Sequence, residues 1–209
     1  HKLMLQIKAD INDPNILQYQ EEYNKKLQFL KQKCPVIYHS LYPYQLDTLK
    51  KAFLSRRQGR LLIADEMGLG KTLQALAISV CLYSHWPLLI ICPAILRSTW
   101  VNEIEKFISF IKAKDIFILY NSITFNRQLF DQAKIVITSY TMQRKLQNEF
   151  QNKKWDIIIC DESHRLSTFG DKNYQFLHTL MIQAKYCMFL SGTPYLNKAI
   201  DIYRPLSTL

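Results

Sequence analysis

Short apolar segments alternate with amphipathic segments of helical length from about residue 60 to the end of the chain. The apolar segments are RLLIA (60–64), LLIIC (88–92), DIFILY (115–120), KIVIT (134–138), WDIIIC (155–160) and YCMFL (186–190). Each is short, rich in Ile, Leu and Val, and free of internal Gly and Pro. Continuous apolar runs of this length are typical of strands that are buried on both faces.

The segments between these predicted strands have the length and polarity of helices. The predicted helices cover residues 71–83, 95–110, 140–150 and 174–183. Parallel strands need crossover connections of about a dozen residues, and these segments are long enough to supply them. The pattern predicts an α/β fold with a mostly parallel sheet and helices on both faces.

A further helix is predicted before this alternation, in DPNILQYQEEYNKKLQFLKQK. Asp13 suits its N-cap and Pro14 its first position. An apolar stripe lies along one face, formed by Ile16, Tyr19, Tyr23, Leu27 and Leu30. We therefore expect residues 1–40 to form a helical extension that packs against a main lobe of residues 41–209. A coiled-coil partner is the alternative, for which the repeat is short.

Composition and charge restrict the class of protein. The 209 residues are 48% hydrophobic, enough for one sizeable core, and 27 basic against 17 acidic residues give a net charge of +10. This charge favours a polyanionic partner such as nucleic acid, although basic residues spread over a solvated surface would give the same total. Five isolated cysteines indicate reduced core residues, and no apolar stretch is long enough to span a membrane.

The segment DEMGLGKT (65–72) has the composition of a phosphate-binding loop between a strand and a helix. Gly68 and Gly70 allow the backbone to curl so that its N–H groups face a phosphate. Lys71 is predicted to reach the β and γ phosphates of a nucleotide and Thr72 to ligate Mg²⁺. The strict pattern GxxxxGK[ST] is not met because its first glycine position is occupied by Asp65. A chance turn is the alternative.

A second acidic pair follows the apolar run WDIIIC. The carboxyl end of a central parallel strand faces the crevice in which ligands bind. Asp161 is therefore predicted to hold Mg²⁺ through water, and Glu162 to orient and deprotonate the attacking water. The alternative is a solvated acidic turn. We expect the first acidic pair, Asp65 and Glu66, to turn away from the triphosphate, toward basic side chains or another lobe.

These segments resemble motifs of the SWI/SNF-like ATPases of helicase superfamily two. The matching segments are LYPYQ (41–45), DEMGLGKT, ICPAILRSTWVNEIEKF (91–107), VITSY (136–140), DESH (161–164) and LSGTP (190–194), in the order of that family's Q motif and motifs I, Ia, Ib, II and III. The resemblance covers about residues 41–203 and implies a RecA-like P-loop three-layer sandwich that uses ATP and Mg²⁺.

Within that family, HWPLLIICPAILRSTW (85–100) and DESH are most similar to the annealing-helicase branch, which remodels replication forks. Leu196-Asn197 stands where motif III usually continues Gln-Asn, which weakens the case for a nucleosome remodeller. A chromatin-remodelling ATPase, a nucleotide-binding regulatory module without catalysis and an ATPase acting on protein or small molecules are the alternatives.

The resemblance also implies roles for individual residues near the nucleotide. Gln45 would contact the adenine edge, with Tyr44 nearby, unless it is only a surface residue of an amphipathic helix. His164 would link the catalytic carboxylate to Ser191 and Thr193, passing the nucleotide state to the DNA face. A purely structural buried histidine is the alternative.

Residues that line the DNA path in the family match Arg97, Ser98, Thr99, Thr138 and Ser139. Short hydroxyl side chains suit contacts with phosphate oxygens, which position a strand without reading its sequence. Ser98 and Thr99 would alternatively only cap the following helix. Trp100 is expected in the core and not as a base-stacking platform.

The family resemblance finally implies partners. Duplex or forked DNA is expected, in the nucleus, together with a second RecA-like lobe of the same polypeptide that carries motifs IV to VI and an arginine finger. We expect the 209 residues to include the first lobe, which would hydrolyse ATP poorly without the second.

Overall fold

In the computed structural model, residues 15–54, 59–168 and 171–192 are described. Six parallel strands in these ranges form one sheet. They are β1 (Arg60–Ile63), β2 (Leu88–Cys92), β3 (Ile116–Ile118), β4 (Ile135–Ser139), β5 (Ile157–Cys160) and β6 (Tyr186–Leu190), in the order β1-β6-β5-β2-β4-β3. All six coincide with predicted strands, so the predicted parallel α/β fold is confirmed.

Helices connect the strands and precede the sheet. They are α1 (Ile16–Lys33), α2 (Pro35–Ser40), α3 (Pro43–Phe53), α4 (Lys71–Cys81), α5 (Arg97–Phe107), α6 (Arg127–Gln132), α7 (Tyr140–Lys145), α8 (Gln147–Gln151) and α9 (Asp171–Gln183). The helix predicted over 140–150 is two helices, because Leu146 leaves the helical conformation with φ −115° and ψ 39°. The short helices α2 and α6 were not predicted.

Successive residues of each central strand enter two different cores. In β2, Leu88, Ile90 and Cys92 belong to the core on one face of the sheet, and Leu89 and Ile91 belong to the core on the other. All five side chains are buried. Both faces are covered, which explains why the strands are continuous apolar runs and not alternating ones.

Helix α4 is buried on all sides. Its residues from Leu73 to Cys81 are all buried, including the polar Gln74 and Ser79. Helices α1, α2, α3 and α5 pack around it, and β6 lies beneath it. A helix that is apolar all round needs such a complete cover. The cover fixes the direction of α4, and therefore the position of the loop that precedes it.

The N-terminal helices supply part of this cover. Leu30 of α1 and Ile37 of α2 are fully buried in the same core as Leu49 of α3, so the predicted packing of the first helix against the lobe is confirmed. Helix α1 begins at Ile16, after Asn15. The predicted capping residues Asp13 and Pro14 lie outside the described residues.

The cysteines are free and buried, as predicted: Cys34, Cys81, Cys92, Cys160 and Cys187. Burial raises the pKa of Cys81 and of Cys187 to about 12, which keeps these thiols protonated and unreactive at neutral pH. None of the helices in the described ranges has the length and hydropathy that crossing a bilayer requires.

Candidate nucleotide-binding site

The loop after β1 has the backbone geometry that its glycines predict. Gly68 and Gly70 have φ values of +82° and +70°, in the left-handed region that favours glycine. A Cβ atom at Gly70 would lie 2.5 Å from Nε2 of Gln45, so a side chain here would also displace the Gln45 amide. Helix α4 begins at the next residue, Lys71, and no side chain caps its first turn. An open helix N-terminus of this kind favours an anion.

The ammonium group of Lys71 is folded back onto this loop. Its Nζ atom donates hydrogen bonds to the backbone carbonyl oxygens of Asp65 and Glu66, both at 2.9 Å. A Cβ atom built on Gly192, just after β6, would lie 3.5 Å from the same Nζ atom. The lysine therefore sits where the loop meets the carboxyl end of β6.

The first acidic pair contributes more through its backbone than through its side chains. Oδ2 of Asp65 accepts a hydrogen bond of 2.9 Å from Nε2 of Gln74, a fully buried residue of α4. This bond ties the start of the loop to the helix that follows it. A basic side chain was among the predicted partners of Asp65, but the donor in this bond is the neutral amide of Gln74. Glu66 is exposed.

The second acidic pair begins with a carboxylate that is held on both sides. Oδ1 of Asp161 accepts from the backbone N–H of Glu162 at 2.8 Å, and Oδ2 accepts from Nε1 of Trp100 at 2.9 Å. The side chain is almost buried, and this burial raises the pKa of Asp161, while the two donors oppose the shift. The Tyr140 hydroxyl donates to the Asp161 carbonyl at 2.7 Å.

Glu162 and its neighbours form a short chain of polar contacts toward β6. Glu162 has a φ of 49°, an uncommon conformation for a residue with a side chain, found at turns and functional sites. Its Oε2 atom lies 3.2 Å from Nδ1 of His164, and the same nitrogen lies 3.2 Å from Oγ of the buried Ser191. The structure thus brings together three of the predicted coupling and catalytic residues. Thr193 lies outside the described residues, as do Leu196 and Asn197.

Gln45 lies beside the loop, but its amide is already engaged within the chain. Oε1 accepts from the backbone N–H of Tyr42 at 2.9 Å, and Nε2 donates to the carbonyl of Leu69 at 3.0 Å. The Tyr44 hydroxyl donates to the same carbonyl at 3.2 Å. The rings of Tyr42 and Tyr44 are parallel, with centroids 5.9 Å apart, and both are exposed. Gln45 therefore joins α3 to the loop, and its contact with adenine stays a prediction.

The predicted DNA residues at the start of α5 differ in exposure. Ser98 and Thr99 are exposed in the first turn. Arg97 is half-buried and bonded within the protein: its guanidinium donates to the carbonyl oxygens of Ala94 at 3.1 Å and Leu119 at 2.6 Å. The two hydroxyl residues are thus available to a ligand, whereas Arg97 joins α5 to the end of β3.

The predicted DNA residues at the end of β4 are buried. Thr138 has no exposed surface and Ser139 is 4% exposed. Oγ of Ser139 accepts from the backbone N–H of Met142 at 3.3 Å and so caps α7. Neither side chain is accessible to a phosphate group in this structure, because β4 lies inside the sheet and α7 follows it at once.

Two residues with roles in this site were not identified from the sequence. Trp100 was correctly predicted to be a core residue, and it is 1% exposed, but its bond to Asp161 was not foreseen. Gln74 lies in the apolar helix α4, and no role was predicted for it. Neither contact has a local signal, because each partner's position depends on the packing of α4 and α5 against the sheet.

Comparison with known proteins identifies the family. The sequence profile of the SNF2-related domain matches residues 19–209. The chain belongs to the SNF2-related domain family. The resemblance to SWI/SNF-like ATPases is therefore confirmed.

Two relatives illustrate the similarity. The "DNA annealing helicase and endonuclease ZRANB3" of Bos taurus is 32% identical over 200 residues, which are 94% of this chain and 18% of that protein. The "SWI/SNF-related matrix-associated actin-dependent regulator of chromatin subfamily A-like protein 1" of Drosophila melanogaster is 35% identical over 175 residues, or 84% of this chain and 22% of that protein. The chain thus spans about a fifth of the length of these relatives.

Solved structures agree with the fold. The Sulfolobus solfataricus SWI2/SNF2 ATPase core in complex with dsDNA has a TM-score of 0.67 and 25% identity, covering 81% of this chain and 36% of that one. The helicase domain of Pyrococcus furiosus Hef, at 20% identity and a TM-score of 0.65, shares the fold. The predicted RecA-like arrangement is confirmed by these neighbours.

Proposed function

We propose that this chain is the ATP-binding RecA-like lobe of an ATP-dependent DNA translocase, in which hydrolysis of ATP drives motion along DNA. One observation carries the proposal. The loop with Lys71, the Asp161-Glu162 pair and Ser191 all follow the carboxyl ends of three adjacent strands, β1, β5 and β6. This is the edge of a parallel sheet at which ligands bind.

The triphosphate of ATP would lie over the loop. The backbone N–H groups around Gly68 and Gly70 and the open N-terminus of α4 supply donors for phosphate oxygens. The carbonyl groups that hold the Lys71 ammonium are neutral acceptors, and phosphate oxygens carry negative charge. Lys71 would therefore exchange the carbonyls of Asp65 and Glu66 for the β and γ phosphates.

Mg²⁺ would be held by Thr72 and Asp161. A hydroxyl and a carboxylate are the hard oxygen ligands that Mg²⁺ prefers, and each oxygen of Asp161 keeps lone pairs beyond the one bond that it accepts. The residues present therefore fit the ion. When bound, Mg²⁺ would neutralise charge on the β and γ phosphates.

Glu162 would orient the attacking water and accept its proton. Its backbone is in the left-handed region, and His164 lies close enough to restrain its carboxylate. Through the same Nδ1 atom, His164 contacts Ser191 at the end of β6. A change at the γ phosphate would thus reach the segment after β6, including Thr193.

Gln45 and Tyr44 would line the adenine side of this site. Each polar atom of the Gln45 amide makes one internal bond, to Tyr42 or to Leu69, and so keeps one acceptor site and one N–H donor for the adenine edge. Because the Tyr44 hydroxyl also bonds Leu69, the internal bonds of Gln45 and Tyr44 would hold α3 against the loop on the adenine side.

DNA would bind near Ser98 and Thr99, the exposed hydroxyl residues at the start of α5. The net charge of +10 favours a polyanion, and the similar archaeal ATPase core was solved with dsDNA. For the buried Thr138 and Ser139 we propose an indirect part, in setting the end of β4. Arg97 would hold α5 in place.

The whole protein would carry a second RecA-like lobe, since this chain covers only 36% of the archaeal core. The helical extension of residues 1–40 and the lobe of residues 41–209 would form the first half. An arginine finger from the second lobe would complete the site, and the first lobe alone would turn over poorly. Similarity to ZRANB3, an annealing helicase, favours a nuclear role in repair of forked DNA over chromatin remodelling.

ATP turnover by the full-length protein tests this proposal. We expect turnover to rise when duplex or forked DNA is added. The Lys71→Ala variant, purified in the same way, is the control, because turnover that remains in it measures contaminating ATPases. Nucleotide binding without turnover under all conditions would indicate a regulatory module instead. Turnover that no duplex, fork or single strand increases would contradict the translocase.

Rewinding of a single-stranded bubble tests the narrower proposal. If the protein is an annealing helicase, we expect it to close the bubble only when ATP is present, and we expect the Lys71→Ala variant not to close it. Sliding of nucleosomes without bubble closure would instead indicate a chromatin remodeller.

A further inference from the structure

A buried indole N–H group points at the carboxylate that we assign to Mg²⁺. Trp100, in the first turns of α5, donates from Nε1 to Oδ2 of Asp161 at 2.9 Å. The tryptophan is 1% exposed and the aspartate 7% exposed. Because an indole nitrogen is only a donor, the direction of this hydrogen bond is unambiguous. It joins α5 to the end of β5, between residues that are far apart in sequence.

The bond does not exhaust the carboxylate. A carboxylate has about four lone-pair sites, and two donors, Trp100 and the backbone N–H of Glu162, occupy one site on each oxygen of Asp161. Two donors on different oxygens fix the rotation of the carboxylate plane. The remaining sites stay free for a metal ion or its water ligands.

The donor is anchored as firmly as the carboxylate. Trp100 is among the largest fully buried side chains, and it packs in the core formed by α4, α5 and one face of the sheet. Helix α5 contacts both α4 and β4. A group held by core packing can position a ligand residue more accurately than one on a loop.

We propose that Trp100 is a positioning residue of the ATPase site, whose N–H group fixes the Asp161 carboxylate in the orientation that receives Mg²⁺. This inference rests on the proposed function of the site. It assigns to Trp100 a part in the reaction that is separate from its packing. Residues that orient metal ligands commonly affect metal affinity or activity by about 10- to 100-fold when they are changed.

A matched residue separates positioning from packing. Trp155 is 4% exposed, and its Nε1 atom donates to the carbonyl of Phe150 at 2.9 Å in the core on the other face of the sheet. Trp100→Phe and Trp155→Phe each remove one buried N–H donor and the same ring atoms. Only the first change removes a bond to Asp161.

The two variants are compared in the full-length protein by two measurements. The first is kcat and KM for ATP with DNA present. The second is affinity for a non-hydrolysable ATP analogue, with Mg²⁺ and with a chelator. For Trp100→Phe we expect kcat to fall about 10- to 100-fold. We also expect Mg²⁺ to increase the affinity for the analogue less than it does in the wild-type protein. The affinity measured in the presence of the chelator should be unchanged. Trp155→Phe is expected to keep wild-type values in both measurements.

A second replacement covers the case in which Trp100→Phe does not fold. Benzothienylalanine at position 100 keeps the bicyclic shape and has sulfur in place of the N–H group, so it removes the donor alone. Wild-type Mg²⁺ dependence and kcat in a folded variant without this donor would overturn the inference, as would equal losses in Trp155→Phe. A wild-type protein without hydrolysis would contradict the proposed function, and the analogue measurement would still decide the role of Trp100.

Discussion

Asp65-Glu66 and Asp161-Glu162 are the same dipeptide, and each follows a strand of one parallel sheet. The two pairs differ in backbone conformation and in their hydrogen-bond partners. Oδ2 of Asp65 accepts from the Gln74 amide, and the carbonyl groups of Asp65 and Glu66 hold Lys71. The first pair thus uses its main-chain oxygens to hold Lys71, while the Asp65 side chain bonds α4 and Glu66 is exposed.

The second pair presents its side chains. Asp161 is nearly buried between Trp100 and a backbone N–H, and Glu162 adopts a left-handed φ of 49° and contacts His164. The same dipeptide thus has a different role at each site, because different elements pack around it. In this sheet, β5 lies between β6 and β2, and the first residue after it, Asp161, is buried, whereas Glu162 is half-buried.

The strongest test of this contrast removes the charge of Glu162. Glu162→Gln keeps the size and the hydrogen-bonding ability of the side chain but removes the proton acceptor. We expect hydrolysis to fall by about 10²- to 10⁴-fold, the usual contribution of a general base, while ATP still binds. Single-turnover hydrolysis and nucleotide affinity measure the two effects. A comparable loss in Glu66→Gln would contradict the division between the pairs.

A weaker effect is expected when the restraint on Glu162 is removed. His164→Ala deletes the group that lies 3.2 Å from both the Glu162 carboxylate and Ser191. Loss of a hydrogen bond to a charged group corresponds to about a tenfold decrease in kcat. Because the contact with Ser191 is also lost, we expect less stimulation by DNA. ATP turnover with and without DNA measures this, and unchanged stimulation would show that His164 is structural.

A smaller effect still is expected at Asp65. Asp65→Ala leaves the buried Nε2 of Gln74 without this acceptor, at a cost of about 1–3 kcal/mol in the free energy of unfolding. Asp65→Asn is the matched control, since its carbonyl oxygen can accept the same bond. Chemical denaturation and KM for ATP measure the two variants. Equal stability of both would show that the bond to α4 does not hold the loop.

The strands were predictable within one or two residues because the sheet is covered on both faces. Residues 88–92 form the predicted strand and the observed one, with all five side chains buried. Helix boundaries were less predictable: the break at Leu146 between α7 and α8 has no glycine or proline to mark it. Local sequence encodes burial better than it encodes a change of helix direction.

The same distinction applies to the site. The loop from Asp65 to Thr72 lies within eight consecutive residues, so its motif was visible in the sequence. The bond from Trp100 to Asp161 was not, because it requires that β2, which precedes α5, lies next to β5 in the sheet. Local hydrophobic patterns predict where strands lie in the sequence, but not their order in the sheet.

Burial divides the predicted DNA residues into two groups. Thr138 matches a motif whose hydroxyl was expected to contact phosphate, but β4 lies between β2 and β3 and the side chain has no exposed surface. The sequence shows a hydroxyl at a strand end without showing which face it occupies. Ser98 and Thr99, at the start of a helix, remain exposed.

The smallest effect is expected at Glu66. Glu66 is exposed, and its contribution to the site is a backbone carbonyl that no side-chain substitution removes. Glu66→Ala should therefore keep the wild-type melting temperature and most of the ATP turnover, since surface substitutions away from special features have small effects. Turnover is measured with DNA beside that of Asp65→Ala. A large loss in Glu66→Ala in the full-length protein, with the melting temperature unchanged, would contradict this assignment, because the Glu66 carboxylate would then take part in turnover.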